Sequence, residues 1–494
     1  MGLKSGKEYI ESIKKMKPRL FMFGEQIQNV HDHPIVKPAT MSCAAAHDAA
    51  LMPEYEELLT TKSHLTGEKI HRFSGIYLSP EDNIKKIKAN RLLSHICPTC
   101  NVKCIGNDAF NAIYPTTFEI DQKYGTDYHK RFCNFAKRIQ SEDLVTSAAI
   151  TDVKGDRSLR PGQQADPDLH VHVVEKKKDG IIVRGAKAHE TGVLQAHYTF
   201  VAPTTTLNEN EKDYAVMFAV PHDAPGITLF YGRILGDERR LESGGTMDLG
   251  IQDYGVHRTA LMILDNVFIP WEHVFMCGEY DFTRQLVTYF SSVHKLSSAC
   301  CKAGINDVLI GAVATAAEYN GVDKITHIND KLATMTYLGE QVYIEAIGAA
   351  VEGYKTPAGN YVPSTLQSNV CKLTLTKNPY ECMRLATDIT GGLFRTLPSE
   401  KDYRNPEVGH YIEKYLKARA DVPTENRMRI LRVIENMTYG TATSMDTAHV
   451  SSGAMETSQM WIRAEGNIKG KKKFAKKLGG IKEVEEPAKS AKKK

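Results

Sequence analysis

The spacing of apolar residues changes twice along the chain. From residue 1 to about 145, apolar positions recur every three or four residues, which predicts helices joined by loops; this pattern is present in PEYEELLTTKS, EDNIKKIKANRLLSHI and DYHKRFCNFAKRIQ. From about 146 to 280, short alternating runs predict β-strands. Long helical periods return from about 281 to 465. This order predicts an α+β protein with an N-terminal helical domain (1–145), a middle β domain (146–280) and a C-terminal helical bundle (281–465).

The middle region carries the strongest strand signals. Two alternating runs flank a Lys-Asp-Gly turn in LHVHVVEKKKDGIIVRGAKAH, a pattern that predicts a hairpin. Further strands are predicted in DYAVMFAVP, GITLFYGR, TALMILDNVFIP and HVFMCGEY. In the third region, helices are predicted in GINDVLIGAVATAAEYNG, DKLATMTYLGEQVYIEAIGAAVEGY and TENRMRILRVIENMTYGTATSMDTAH.

Composition is typical of a globular protein. The 494 residues are 42% hydrophobic and 25% charged, enough to bury a sizeable core. No run approaches eighteen uninterrupted apolar residues, so we expect no membrane partner. The charged, amphipathic start of the chain lacks the apolar segment of a secretory signal, and we therefore expect a cytoplasmic protein.

The net charge of +4 hides a strong asymmetry. Residues 466–494 contain eleven Lys and three Glu, a net charge of +8, so the remainder of the chain is slightly acidic. This composition predicts a solvated, flexible basic tail. No motif elsewhere combines basic and aromatic residues, and we expect no nucleic-acid partner.

Two short segments concentrate potential metal ligands. The segment HICPTCNVKCIGNDAF contains Cys97, Cys100 and Cys104, and SSVHKLSSACCKAG contains His294, Cys300 and Cys301. Cys100 and Cys104 are one helical turn apart, and His294 and Cys301 are two turns apart, so each pair is expected on one helix face. Three thiolates and one imidazole could close a four-coordinate site. The spacing alone leaves open zinc, an iron–sulfur cluster or buried structural thiols.

The evidence for a nucleotide cofactor is weaker. No GxGxxG motif follows a strand, which argues against a Rossmann site. The polar, turn-rich loop TDVKGDRSLRPGQQADPD places Lys154, Arg157 and Ser158 where they suit a phosphate or the edge of a flavin. The alternative is an exposed loop without a ligand.

Several long motifs resemble one enzyme family. They are CNVKC at 100–104, AAITDVKGDRSLRPGQQADPD at 148–168, RGAKAHETG at 184–192, the His-x6-Cys spacing at 294–301, DITGGLFRTLPSEKDYRNPEVGHYIEKYL at 388–416 and VPTENRMRILRVIEN at 422–436. Together they resemble the 4-hydroxybutyryl-CoA dehydratase family over residues 5 to about 465. That family is related to the flavin hydroxylases of 4-hydroxyphenylacetate, which lack the cysteine–histidine set. The resemblance implies an acyl-CoA dehydrogenase-like fold.

The resemblance also implies two cofactors and their ligands. Cys100, Cys104, His294 and Cys301 would hold a 4Fe–4S cluster, whereas Cys97 and Cys300 have no family role. FAD would be bound by Thr151, Asp152, Lys154, Arg157, Ser158, His189, Thr191, Gly391 and Gly392. The predicted assembly is a homotetramer formed through the C-terminal helices.

The implied reaction is the dehydration of 4-hydroxybutyryl-CoA to crotonyl-CoA, with vinylacetyl-CoA isomerisation as a second activity. A base would take the α-proton and FAD would withdraw one electron, which would make the otherwise unreactive β-proton acidic. The electron would return as hydroxide leaves. Candidate acid–base groups are His294, Glu456 and Lys302; the last two have the alternative of ordinary surface residues.

The chain departs from the family pattern at three positions. A family tyrosine is replaced by Ser298, an acidic residue by Thr259, and a glutamine between the first two ligands by Val102. Nearby Tyr289 is a candidate replacement for the missing phenol. These changes keep other interpretations open: a divergent dehydratase with an altered substrate, a flavin-dependent aromatic hydroxylase, or a cofactor-binding subunit without catalysis.

Overall fold

The computed structural model describes residues 2–100, 102–242, 245–443 and 454–481. Its first thirteen helices are α1 (Gly6–Ile13), α2 (Lys37–Ala50), α3 (Glu56–Leu59), α4 (Pro80–Ile96), α5 (Lys103–Tyr124), α6 (Tyr128–Ser141), α7 (Thr283–Tyr319), α8 (Thr326–Val351), α9 (Thr365–Leu375), α10 (Asn378–Ile389), α11 (Glu400–Tyr403), α12 (Gly409–Tyr415) and α13 (Thr424–Thr438). Two further helices span Ala454–Glu465 and Ile468–Leu478.

The strands form two main sheets and two small hairpins. Their bounds are β1 (Leu20–Met22), β2 (Glu25–Ile27), β3 (Thr60–Lys62), β4 (Lys69–His71), β5 (Thr146–Ala149), β6 (His172–Lys176), β7 (Gly180–Thr191), β8 (Tyr198–Val201), β9 (Val216–Pro221), β10 (Ile227–Tyr231), β11 (Thr259–Pro270), β12 (Val274–Cys277), β13 (Tyr354–Lys355) and β14 (Tyr361–Val362). One sheet has the order β2-β1-β10-β11-β7-β6 and the other β12-β9-β8-β5. The predicted hairpin is confirmed, since β6 and β7 pair antiparallel.

Helix α7 is the centre of the helical packing. It contacts α4, α5, α8, α9 and α13 along its 37 residues, and it is buried on more than one side. Neighbouring α4 begins where Ser79 accepts a hydrogen bond from the amide of Asp82 and Pro80 fills the first turn, a favourable helix start. A single central helix thus carries His294 and Cys301 into the interior.

The apolar length of this helix also meets a membrane-span criterion. Within the described ranges, the stretch Tyr280–Tyr319 is long and apolar enough, with a mean hydropathy of 1.3 over its most apolar window. However, 61% of that window is buried inside the protein. A buried core helix satisfies the same criterion, so the absence of a membrane partner stays a prediction.

The structure differs from the predicted layout in two places. Strands β1 and β2, which precede residue 145, join the edge of the larger middle sheet, because β1 pairs in parallel with β10. Within PEYEELLTTKS only Glu56–Leu59 is helical; the β-branched Thr60 and Thr61 continue into β3. The first region is therefore not purely helical.

The basic tail also begins differently from the prediction. Its first part forms the helix Ile468–Leu478, which starts where the side chain of Asn467 accepts a hydrogen bond from the Gly470 amide. This helix is exposed along its length. Residues 482–494 of the predicted flexible tail lie outside the described part of the chain.

Candidate active site between α5 and α7

The first cysteine pair lies at the start of α5. Cys104 is in the first helical turn, but Cys100 precedes the helix, so the prediction that both share one helix face was wrong for Cys100. The turn between them depends on Val102, a β-branched residue with φ of +71°, which is a strained conformation. This turn points the Val102 amide at the Cys100 Sγ atom, 3.4 Å away.

The two thiols of this pair interact directly. The pKa of Cys100 is held well below its usual value, chiefly because the Cys104 thiol donates a hydrogen bond to it; His257 and Lys302 add positive character nearby. The same hydrogen bond, together with burial, raises the pKa of Cys104. The pair therefore favours one thiolate and one thiol. A bound cation such as iron would displace the remaining proton.

The second set of ligands comes from α7. Cys301 is buried, donates to the Ser298 carbonyl at 3.4 Å, and lies near enough to Cys104 to raise the pKa of that thiol further. His294 is two turns earlier on the same helix. Helices α5 and α7, with the turn that precedes α5, thus bring three buried thiols into one region.

His294 is held by Asp108, a residue of α5. The imidazole Nδ1 is 2.8 Å from the Asp108 Oδ2 atom. The other carboxylate oxygen, Oδ1, accepts hydrogen bonds from Lys86 of α4 and from Ser297 Oγ at 2.7 Å. Burial alone would raise the pKa of Asp108, but the charge of Lys86 and the bond to His294 bring it below its usual value. Asp108 is therefore an ionised carboxylate with no exposed surface.

An aromatic ring fixes the plane of the same histidine. Phe290, one turn before His294 on α7, stacks on the imidazole with ring centroids 5.2 Å apart and an interplanar angle of 18°. The stacking restricts rotation of the ring, and the hydrogen bond to Asp108 turns the Nδ1 edge of the imidazole towards that carboxylate. Because Asp108 uses Nδ1, Nε2 is the nitrogen that would meet a metal.

Three buried lysines lie in this region. Lys295, Lys302 and Lys372 are each less than a tenth exposed. Burial lowers the pKa of Lys372 to about 7, with Lys302 and Lys295 adding to the effect, and burial lowers the pKa of Lys295 to about 8. Cys301 lies close enough to act in the opposite direction on Lys372. Such surroundings favour thiolates and other anions.

The chemistry of the predicted donor set is compatible with an iron–sulfur cluster. Among the described residues, which include all four predicted ligands, no group of three or more His, Cys, Asp or Glu side chains could hold one metal ion. A cluster of four irons spreads its ligands further apart, and soft thiolates with one imidazole are donors that iron–sulfur centres accept. The three buried thiols and the carboxylate-held histidine match that chemistry.

The two extra cysteines have backbone partners instead. Cys97 Sγ donates to the Leu93 carbonyl at 3.4 Å, and Cys300 Sγ donates to the Leu296 carbonyl at 3.0 Å. Both side chains are fully buried. The predicted ligand Cys301 also donates to a backbone carbonyl, so these contacts do not separate ligands from non-ligands, and the absence of a role for Cys97 and Cys300 stays a prediction.

The predicted flavin motifs lie beside one another in the β domain. The loop that starts at Thr151 runs along β7, where the Ala188 amide donates to the Thr151 carbonyl at 2.9 Å. Lys154 and His189, with φ of +75° and +60°, mark sharp turns in the loop and in the strand. Apart from Asp152, the polar side chains predicted to bind the flavin are at least partly exposed; they are Thr151, Lys154, Arg157, Ser158, His189 and Thr191.

Asp152 has a different position from the other members of the set. It is buried, and its carboxylate accepts hydrogen bonds from Lys187 and from Thr204. Lys187 also donates to the Ile150 and Ala202 carbonyls. Asp152 thus ties the loop to β7 and would act on a flavin only indirectly.

A close contact joins the flavin motif to the cysteine loop. Gly192, directly after Thr191, has φ of +71°, and a Cβ atom built there would lie 2.2 Å from Val102 Cγ1. The Gly192 amide donates to the Arg258 carbonyl at 3.0 Å, which fixes this position beside the start of β11. Only glycine satisfies both the backbone angle and the contact.

The other predicted residues are not all at this location. Gly391 and Gly392 follow α10 with φ of +63° and +72°, and no described atom lies within 4 Å of a Cβ atom built at either one. Glu456 is exposed on the helix Ala454–Glu465, which packs against α9. Tyr289 donates to Glu119 at 2.8 Å, so its phenol is engaged away from the cysteines.

Sequence reasoning missed several residues of the site. Asp108 carried a usable signal, since it follows Cys104 by one helical turn. Phe290 and Lys86 carried none, because their contacts depend on helix packing. His257 is also new: it is 1% exposed and lies beside Cys100, where its charge and a side-chain hydrogen bond help to lower the pKa of that thiol.

Comparison with known protein families covers nearly the whole chain. Residues 5–276 match the family model described as the N-terminal part of 4-hydroxyphenylacetate 3-hydroxylase, and residues 283–480 match the C-terminal part. The 4-hydroxyphenylacetate 3-monooxygenase oxygenase component of Thermus thermophilus is 26% identical, with 88% of each chain covered. A solved oxygenase component complexed with FAD is 22% identical and has a TM-score of 0.81, with 97% of this chain and 98% of that chain covered, which shows the shared fold.

Two dehydratases are more similar. The 4-hydroxybutyryl-CoA dehydratase/vinylacetyl-CoA-Δ-isomerase of Clostridium aminobutyricum is 45% identical over 491 residues, 97% of this chain and 100% of the relative. The solved oxygen-tolerant archaeal 4-hydroxybutyryl-CoA dehydratase from N. maritimus is 45% identical with a TM-score of 0.95, and 99% of this chain and 98% of that chain are covered. The acyl-CoA dehydrogenase-like domain layout stays a prediction. Because it is 45% identical to a dehydratase over nearly its whole length, the chain belongs to the 4-hydroxybutyryl-CoA dehydratase/vinylacetyl-CoA-Δ-isomerase family, within the larger group that shares the 4-hydroxyphenylacetate 3-hydroxylase domains.

Proposed function

We propose that this protein dehydrates 4-hydroxybutyryl-CoA to crotonyl-CoA and also isomerises vinylacetyl-CoA. It would thus be a lyase with a Δ-isomerase activity. The observation that carries the proposal is that three buried thiols lie close to one another, and that Cys104 is near Asp108, the carboxylate that binds His294. The 45% identity to the Clostridium aminobutyricum enzyme over nearly the full chain supports the same substrate.

The proposed cofactors are FAD and a 4Fe–4S cluster. Cys100, Cys104, His294 and Cys301 would hold the cluster, and the loop beside β7 would hold the flavin. Bound FAD would supply one-electron chemistry, and the cluster would supply a Lewis-acidic iron. FAD-bound structures of relatives at 22% identity support the flavin through the shared fold.

The chain's own residues prepare this site in three ways. Asp108 and Phe290 orient the His294 imidazole. Lys302 adds positive charge near Cys100, which favours anionic species there. The contact between Gly192 and Val102 sets the cysteine loop against the flavin motif.

The acid–base assignment keeps the three predicted candidates. His294 and Lys302 lie at the site, and their positions support a role in moving the substrate protons. Glu456 is exposed in the single chain, so a catalytic role would require that its helix be covered in the assembly. We retain the cytoplasmic location and the homotetramer as proposals.

The assembly proposal has support from α8. Tyr337, Ile344 and Val351 are seven residues apart and are 61%, 65% and 53% exposed. This spacing places them on one helix face, and such an apolar row is typical of a subunit interface.

The alternative function is a flavin-dependent aromatic hydroxylase. The oxygenase relatives at 22–26% identity share the fold, but the thiol and histidine set favours the dehydratase. An anaerobic assay separates the two. The purified protein is expected to form crotonyl-CoA from 4-hydroxybutyryl-CoA without oxygen or an electron donor. Hydroxylation of 4-hydroxyphenylacetate with reduced FAD and oxygen, and no crotonyl-CoA, would refute the proposal.

A further inference from the structure

Asp108 is an unusual residue for the interior of a helical layer. Its carboxylate and the Lys86 ammonium have no exposed surface, and removing two charges from water is unfavourable before any pairing. An apolar pair of similar volume would often be at least as stable. The position of Asp108 therefore calls for an explanation beyond stability.

The contacts of Asp108 divide by oxygen atom. Oδ1 is anchored by Lys86 and by Ser297 Oγ, whereas Oδ2 is directed at His294 Nδ1. These partners come from α4 and α7, while Asp108 itself is on α5. One oxygen thus fixes the carboxylate and the other fixes the histidine.

The packing around Lys86 makes the anchor rigid. Its ammonium lies 5.1 Å from the centroid of the Tyr77 ring, and the Tyr77 hydroxyl donates to Asn107 Oδ1 at 2.6 Å. Tyr77 and Asn107 are themselves buried. The carboxylate therefore has little freedom to follow a movement of His294, so the histidine must adapt to it.

We infer that Asp108 is the positioning residue of His294. It keeps the Nδ1 proton on the imidazole, presents Nε2 to the iron, and increases the basicity of that nitrogen as a ligand. Metal-bound histidines commonly have such a carboxylate partner, and its loss typically costs 10–100-fold in metal affinity or activity. Lys86 and Ser297, which donate hydrogen bonds to Oδ1, set how strongly the carboxylate accepts from His294. The inference rests on the proposed function, because it requires the cluster to be bound.

Two variants change the same hydrogen bond in opposite directions. Asp108→Asn removes the negative charge, so the imidazole donates less electron density and the cluster midpoint potential should rise. Ser297→Ala removes one donor from Oδ1, which makes the carboxylate a stronger acceptor, so the midpoint should fall. Ser292→Ala is the matched control: this buried α7 hydroxyl contacts the Thr288 carbonyl and Thr365, and not Asp108. Its midpoint should equal that of the wild type.

The experiment is a redox titration of the anaerobic holoenzymes, followed by electron paramagnetic resonance, with iron content and steady-state kinetics on the same samples. We expect opposite midpoint shifts in the two variants. For Asp108→Asn we also expect a 10–100-fold lower kcat with an almost unchanged KM, because the variant leaves the substrate-binding groups in place.

Unshifted midpoints in both variants, with iron fully retained, would overturn the inference while leaving the proposed function intact. If Asp108→Asn does not fold, the shift in Ser297→Ala decides alone: a midpoint equal to that of Ser292→Ala overturns the inference. An iron-free wild type would instead overturn the proposed function, and the inference with it.

Discussion

The contact between Gly192 and Val102 gives a quantitative test of how the two cofactor motifs are joined. In Gly192→Ala, a non-glycine residue at φ of +71° costs about 1–2 kcal/mol, and the new Cβ atom would lie 2.2 Å from Val102 Cγ1. Overpacking of this kind costs about 1–3 kcal/mol. The expected loss in the free energy of unfolding is therefore about 2–5 kcal/mol, accompanied by loss of iron, because Val102 directs its amide at Cys100.

Gly125→Ala is the matched control for the backbone cost. Gly125 has φ of +66° at the end of α5, but no described atom lies within 4 Å of a Cβ atom built there. It should lose only about 1–2 kcal/mol and keep its iron. In the double variant Val102→Gly/Gly192→Ala the clash disappears, so its loss should be smaller than the sum of the single losses. Urea unfolding and iron analysis provide the measurements. Equal losses for Gly192→Ala and Gly125→Ala, or strict additivity in the double variant, would refute the contact.

Three further predictions concern the fold, the histidine and the assembly. Despite burial, which acts in the opposite direction, Lys187 holds the pKa of Asp152 far below its usual range, so the stabilisation by Asp152 is complete above about pH 4 and is lost as the pH falls. Acid unfolding should accordingly be less steep in Asp152→Asn than in the wild type, and identical profiles would contradict this. His294→Cys should retain iron and FAD but lose most dehydratase activity, because thiolate binds iron well but offers no neutral nitrogen; full turnover would make the histidine only a structural ligand. Ile344→Lys should shift light scattering towards smaller species, since this residue is 65% exposed on the proposed interface, and an unchanged mass would exclude that face.

The sequence predicted the long elements of the fold well. The helical periods in α4, α6 and α8 and the turn between β6 and β7 are local signals, because each element buries one face at its own period. The pairing of β1 with β10 could not be predicted in this way, since the partners are about two hundred residues apart. The three residues of β3 similarly depend on β4.

The site shows the same division between local and distant information. The Cys100–Cys104 spacing was visible, but the strained turn at Val102 that takes Cys100 off the helix was not. Gly192 could be recognised within a motif, yet its contact with Val102 joins two regions that only the folded chain brings together. His257 had no sequence signal, because its place near Cys100 depends on how the segment before β11 packs in the folded chain.

The central claim is that Cys100, Cys104, His294 and Cys301 hold a four-iron cluster required for turnover. The most direct measurement is iron content and crotonyl-CoA formation on the same anaerobic preparations of wild type, Cys104→Ala and Cys97→Ala. We predict about four irons per chain and turnover in the wild type. Both should be lost in Cys104→Ala and nearly unchanged in Cys97→Ala, whose thiol donates to the Ser42 and Leu93 carbonyls. An active wild type without iron, or equal iron loss in both variants, would contradict the claim.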